Sequence, residues 1–160
     1  MSKVFCSFLI LIIFLGCNHK KPGMLSEEDK ELVQMAVKER VDAYFIVARQ
    51  QNIDTMLGFW ADSDSFVFAA DGNIVIGYAG FSGQMPNVAQ MTDSVLSLEK
   101  YNEHIFVLSS HAATSTLQFK GTSTLITGDA IRSRGSWTYV FSQMNNEWKV
   151  IHSAGTHIYF

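Results

Sequence analysis

The alternation of apolar and polar positions divides the chain into helical and extended stretches. Ser26 stands before Glu27, Glu28 and Asp29, an N-cap residue ahead of three acids that favour the positive end of a helix. Val33, Val37, Val41, Tyr44 and Ala48 then recur at spacings of three and four, with Glu31, Lys38, Glu39, Asp42 and Arg49 mostly off that stripe, so a helix with one packed face is expected. A short helical turn is expected at 53–59, after which Trp60-Ala61-Asp62-Ser63-Asp64 breaks the pattern. Apolar runs at 65–70 and 74–77 flank Asp71-Gly72-Asn73, and Asp-Gly supplies the positive φ of a tight turn, which predicts a hairpin. Residues 78–91 read as a helix with Gly80, Gly83 and Pro86 against it. From Val95 onward β-branched and aromatic residues dominate, and four successive strands are expected at about 95–108, 112–120, 130–142 and 147–158. Their turn signals are Ser109-Ser110-His111, Gly128-Asp129 and Met144-Asn145-Asn146-Glu147.

The first segment obeys a different rule. Lys3 and an apolar run at 4–15 end in Gly16-Cys17, with the charge, length and small residue of a secretory signal. The run is shorter than the roughly 20 apolar residues a membrane span requires. Phe14-Leu15-Gly16-Cys17 resembles the lipobox of bacterial lipoproteins, with Phe14 where the family usually has Leu. That resemblance implies a signal peptide at 1–16, a lipidated Cys17 heading a tether at 17–25, and a domain over 26–160. Cys6 then leaves with the signal and Cys17 is capped by acyl chains, so the domain has no thiol for disulfide, metal or nucleophile. The expected location is the bacterial cell envelope, on a lipid anchor, with the outer membrane favoured over the inner and secretion expected if Cys17 is not lipidated.

Composition narrows the function. With 160 residues, 48% hydrophobic and 12% aromatic, the chain suits one compact domain and is too rich in rings for disorder. Twelve Lys and Arg stand against 15 acids, and the one basic run is Lys20-Lys21, so a nucleic-acid partner is not expected.

Two stretches carry a family resemblance. The first runs from Phe59-Trp60-Ala61-Asp62 through Phe66-Val67-Phe68 to Asp71-Gly72-Asn73-Ile74-Val75-Ile76-Gly77. The second runs from Gly135-Ser136-Trp137-Thr138-Tyr139-Val140-Phe141 to Asn145-Asn146-Glu147-Trp148-Lys149-Val150-Ile151-His152. They are similar to the hydrophobic strand, Asp-Gly turn and last hairpin of the nuclear transport factor-like cone fold, which includes SnoaL-like polyketide cyclases and ketosteroid isomerases. The resemblance implies an α+β architecture over 26–158, a strongly curved, mostly antiparallel sheet wrapped around three helices, with a cavity at its open end. It is specific for fold and poorly specific for function.

Within that frame the isomerase pattern places its helix tyrosine on Tyr44. Its general-base position falls on Phe68 or Ala69, however, and 136–142 holds no acid for the protonated partner, so the isomerase mechanism as such is not expected. Strand alternation puts Phe66 with Phe68, Trp137 with Tyr139 and Phe141, and Trp148 with Val150 and His152. An aromatic pocket is expected from Tyr44, Trp60, Phe68, Trp137, Tyr139 and His152, binding a small apolar or amphipathic molecule. Two other classes stay open: a lyase, isomerase or cyclase using Asp62 or His152 as acid or base, and a non-catalytic module that associates with a second copy, giving a homodimer. Asp62 and Asp64 read as loop residues, Asp71 as turn chemistry, and Arg132 with Arg134 as a shared strand face. His152 and His157 lie five apart and so on opposite strand faces, and no shared metal is expected. No cofactor is expected either.

Overall fold

The computed structural model describes residues 25–160; the expected signal peptide, Cys17 and the tether up to Met24 lie outside the described residues. Helix α1 (Glu27–Arg49) starts on a capping box, in which the Ser26 hydroxyl accepts from the Asp29 N–H and the Asp29 carboxylate accepts from the Ser26 N–H. It buries Val33, Val37, Val41 and Phe45, one stripe against the sheet. The short α2 (Ile53–Leu57) is capped by Asn52. Strands β1 (Val67–Ala70) and β2 (Asn73–Ile76) form the hairpin, with both turn residues at positive φ, Asp71 at 50° and Gly72 at 84°. Helix α3 (Tyr78–Gln90) contains Pro86 and forms nonetheless, because Phe81 is buried in the core and Met85 packs against it.

The four remaining strands, β3 (Thr92–Ser109), β4 (Ala112–Leu125), β5 (Ala130–Met144) and β6 (Glu147–Tyr159), form an antiparallel meander. The curved sheet has the order β2-β1-β6-β5-β4-β3, and β1 joins β6 in parallel. Among the described residues no helix is long and apolar enough to cross a membrane.

Large and small side chains alternate across the inner face. Tyr139 on β5 lies between Ser115 on β4 and Ser153 on β6, and Trp137 lies between Leu117 and Gly155. A Cβ on Gly155 would sit 2.1 Å from the Trp137 ring, so only glycine lets the indole lie across β6. The Trp137 Nε1–H donates to the buried Ser153 hydroxyl at 2.5 Å, which satisfies both groups.

Strand β6 carries a bulge. Val140 pairs with His152 and Phe141 with Val150, leaving Ile151 unmatched. It falls where the neighbour of β6 changes. Val150 exchanges hydrogen bonds with Phe59 and Ala61, whereas His152 onward pairs with β1.

Candidate functional site

Between α1, α3 and the inner face of the sheet lies a pocket of about 300 Å³, at the lower end of small-molecule sites. Tyr44 and Ala48 reach it from α1, Trp60 from the segment after α2, Phe68 from β1, Phe81 and Met85 from α3, Phe119 from β4, and Trp137 and Tyr139 from β5. The rings touch in a continuous series. Tyr44 packs edge-on to Trp60 at 5.2 Å, Trp60 meets Phe81 at 4.8 Å, and Phe81 meets Phe68 at 4.8 Å. Phe68 then meets Trp137 at 5.6 Å. Such edge and tilted contacts hold each ring in place beyond the gain from burial alone.

Of the residues singled out from sequence, Tyr44, Trp60, Phe68, Trp137 and Tyr139 line this pocket and His152 does not. The bulge is the physical cause. Simple alternation carries the inward register of Val150 to His152, but the extra residue Ile151 inverts it, so Ser153 is buried and His152 lies on the other face with only partial cover. The grouping of Trp148 and Val150 with His152 on one face is corrected on the same ground. Asp62 is also off the wall: it is exposed in the loop before the hairpin, as is Asp64. An acid–base mechanism built on Asp62 or His152 therefore has neither group at the pocket. Arg132 and Arg134 are exposed, with the Arg134 guanidinium 5.6 Å over the ring of Phe160.

The histidine that does line the pocket is His157, on the opposite face from His152 and inward after the bulge. Its ring lies edge-on to Phe119 and to Trp137, both at 5.2 Å, and stacks on Tyr159 at 5.7 Å. The Nδ1 lies 2.8 Å from the Asp71 carboxylate, whose other oxygen accepts from the His157 backbone N–H at 2.7 Å. Asp71 is thus more than a turn residue: at the end of β1 its side chain continues the pairing with β6. Partial burial pushes its carboxyl up, but the backbone N–H, the ring and the charge of His157 outweigh this and hold it below the usual carboxylate range.

At the other end Tyr44 and Tyr139 lie 6.2 Å apart, centroid to centroid. Burial raises the pKa of both hydroxyls, and for Tyr139 the repulsion an ionised Tyr44 would exert and the Glu103 carboxylate add to the effect. Both stay protonated at neutral pH and are hydrogen-bond donors. The Trp60 indole N–H is buried without a partner among the described residues. No group of three or more His, Cys, Asp or Glu side chains is placed to hold a metal ion among the described residues.

Sequence reading missed His157 as a pocket residue, along with Ala48, Phe81, Met85, Phe119 and other apolar lining residues. The available signal was the five-residue spacing of the two histidines, which placed them on opposite faces without saying which face was inward.

The family model of the SnoaL-like domain matches residues 37–158, and the chain belongs to that family. No curated protein sequence matches it. Among solved structures it is similar to a hexachlorocyclohexane dehydrochlorinase of type 3 from Novosphingobium barchaimii, at 14% identity and a TM-score of 0.70, covering 84% of this chain and 93% of that one. It is similar also to a ketosteroid isomerase-like protein from Erwinia carotovora atroseptica, at 14% identity and a TM-score of 0.68, covering 84% and 98%. A nuclear transport factor 2-like superfamily protein from Salmonella enterica gives 14%, 0.70, and coverage of 79% and 91%. At these identities the likeness is one of fold, the cone-shaped fold that the two quoted stretches implied.

Proposed function

As a member of the SnoaL-like family with this wall, the protein, we propose, binds a small apolar or amphipathic molecule, and does so from a lipid anchor in the bacterial envelope. The observation that carries the reading is the pocket lining, in which aromatic and aliphatic groups predominate and the ionisable side chains are His157 and two neutral tyrosines. Burial of an apolar body there contributes about 25 cal/mol for each Å² removed from water. The names of two structural neighbours, a dehydrochlorinase and a ketosteroid isomerase-like protein, refer to small-molecule chemistry and are consistent with a pocket of this kind.

Native mass spectrometry of the protein isolated from its own membrane tests the reading. A bound small molecule is expected, and it is expected to be lost from Ala48→Phe, which fills the pocket from α1. Recovery of the same material from both forms, or of none from either, would overturn it. The anchor is supported by the lipobox-like Phe14-Leu15-Gly16-Cys17. Cys17→Ala is expected to move the protein from the membrane to the soluble fraction, and unchanged membrane retention would remove the anchor from the proposal.

A further inference from the structure

The pocket has one polar feature that its apolar lining does not account for. His157 is held at two points by Asp71, through the backbone N–H at 2.7 Å and Nδ1 at 2.8 Å, and its ring is wedged among Phe119, Trp137 and Tyr159. Three rings and a carboxylate thus fix the orientation of one imidazole on a pocket wall. With Asp71 ionised, Nδ1 carries the proton and donates it to the carboxylate, which leaves the lone pair on Nε2. That nitrogen has no hydrogen-bond partner among the described residues, and it is not sealed from the pocket or solvent as the Trp60 N–H is. With its single proton on Nδ1, an imidazole so held is an acceptor waiting for a donor.

We propose that His157 Nε2 receives the hydroxyl of the bound molecule, so that the ligand class is a ring-sized apolar alcohol or phenol; this rests on the pocket being a binding site. The charge distribution selects against acids. No Lys or Arg lines the pocket, and a ligand carboxylate would arrive against the lone pair of Nε2 with no donor to meet it. A plain hydrocarbon would leave Nε2 desolvated and unpaired, a penalty that a ligand hydroxyl removes. Asp71 is a positioning residue here. It sets the tautomer of His157 and does not reach the ligand itself.

The test uses the full chain, purified with detergent, at about pH 8, above the ordinary imidazole range. Binding of 2-naphthol, naphthalene and 2-naphthoate is measured calorimetrically to the natural protein and to His157→Phe, Asp71→Asn and His152→Phe. Comparing the naphthol-to-naphthalene preference between variants cancels partition of the probes into detergent. The preference is expected to be about fivefold to tenfold larger in the natural protein than in His157→Phe, the worth of one hydrogen bond. Asp71→Asn tolerates the positive φ and keeps the backbone acceptor, but its amide NH2 faces Nδ1 and drives the proton to Nε2, so the preference is expected to fall there too. His152→Phe is expected to leave it unchanged. An equal preference in the natural protein and His157→Phe overturns the assignment of His157 while leaving the pocket as a binding site. Tighter binding of 2-naphthoate than of 2-naphthol overturns the ligand class. If neither naphthalene nor 2-naphthol binds the natural protein, the binding site itself fails, and this inference with it.

Discussion

The tyrosine end and the histidine end of the pocket are both built of rings around ionisable groups, yet their groups respond in opposite ways. Tyr44 and Tyr139 are surrounded by Phe59, Trp60 and Phe141, and burial is the main cause that keeps their hydroxyls neutral. Asp71 is partly buried too, and burial pushes it in the same direction, but its hydrogen bonds from His157 reverse the outcome and keep it charged. The difference teaches that desolvation sets the default and a positioned partner overrides it. Trp137 joins the two ends, touching Tyr139 at 6.4 Å and His157 at 5.2 Å.

The largest expected effect breaks the tyrosine end alone. Phe59 is 2% exposed, stacks on Tyr44 at 4.4 Å and meets Tyr139 edge-on at 5.2 Å, with the Arg40 guanidinium 5.5 Å above it. Phe59→Ala is expected to cost about 3–5 kcal/mol in chemical denaturation. His157, at the partly exposed end, is expected to cost much less on the same change.

Gly155→Ala comes next, since it strikes the link between the two ends. Its Cβ would meet the Trp137 ring at 2.1 Å and the Ser136 carbonyl at 2.7 Å, so the indole must leave its seat. A loss of about 1–3 kcal/mol is expected, together with a blue- or red-shifted tryptophan emission that Ala154→Ser does not produce.

The third effect depends on pH. The folded-state pKa values of Tyr44 and Tyr139 are raised, so their contribution to stability is complete below the ordinary tyrosine value and is lost as pH rises above it. Melting temperature is expected to fall above about pH 10, and Tyr44→Phe with Tyr139→Phe is expected to flatten that fall.

The smallest effect is at the histidine end. The Asp71 pKa is lowered, so its contribution is present above the ordinary carboxylate value and fades as pH drops through the folded one, below about pH 4. Its side chain is 39% exposed, so the contribution is expected to be under about 1 kcal/mol, and Asp71→Asn should reduce the acid sensitivity of melting only slightly.

Local chemistry made most of the elements legible. Ser26 with Asp29 capped α1, Asp71-Gly72 formed the hairpin turn, and alternation placed Trp137, Tyr139 and Phe141 on one face, which β5 turns inward. Four of the aromatic pocket residues, Tyr44, Phe68, Trp137 and Tyr139, sit on a regular helix or strand, where the period sets which face a ring shares. His152 could not be placed that way. One inserted residue inverts every direction beyond it, and nothing in Val150-Ile151-His152 announces the bulge, which arises because β6 exchanges Phe59–Ala61 for β1 as its neighbour.

By itself, then, the sequence determined periods, caps and turns, and which side chains share a face; its resemblance to the cone fold supplied the curved sheet wrapped around helices. The parallel joining of β1 to β6, the unmatched Ile151 and the meeting of Asp71 with His157 were decided by tertiary structure. Periodicity is a property of neighbours along the chain, whereas Asp71 and His157 are 86 residues apart and meet only because β1 and β6 lie side by side.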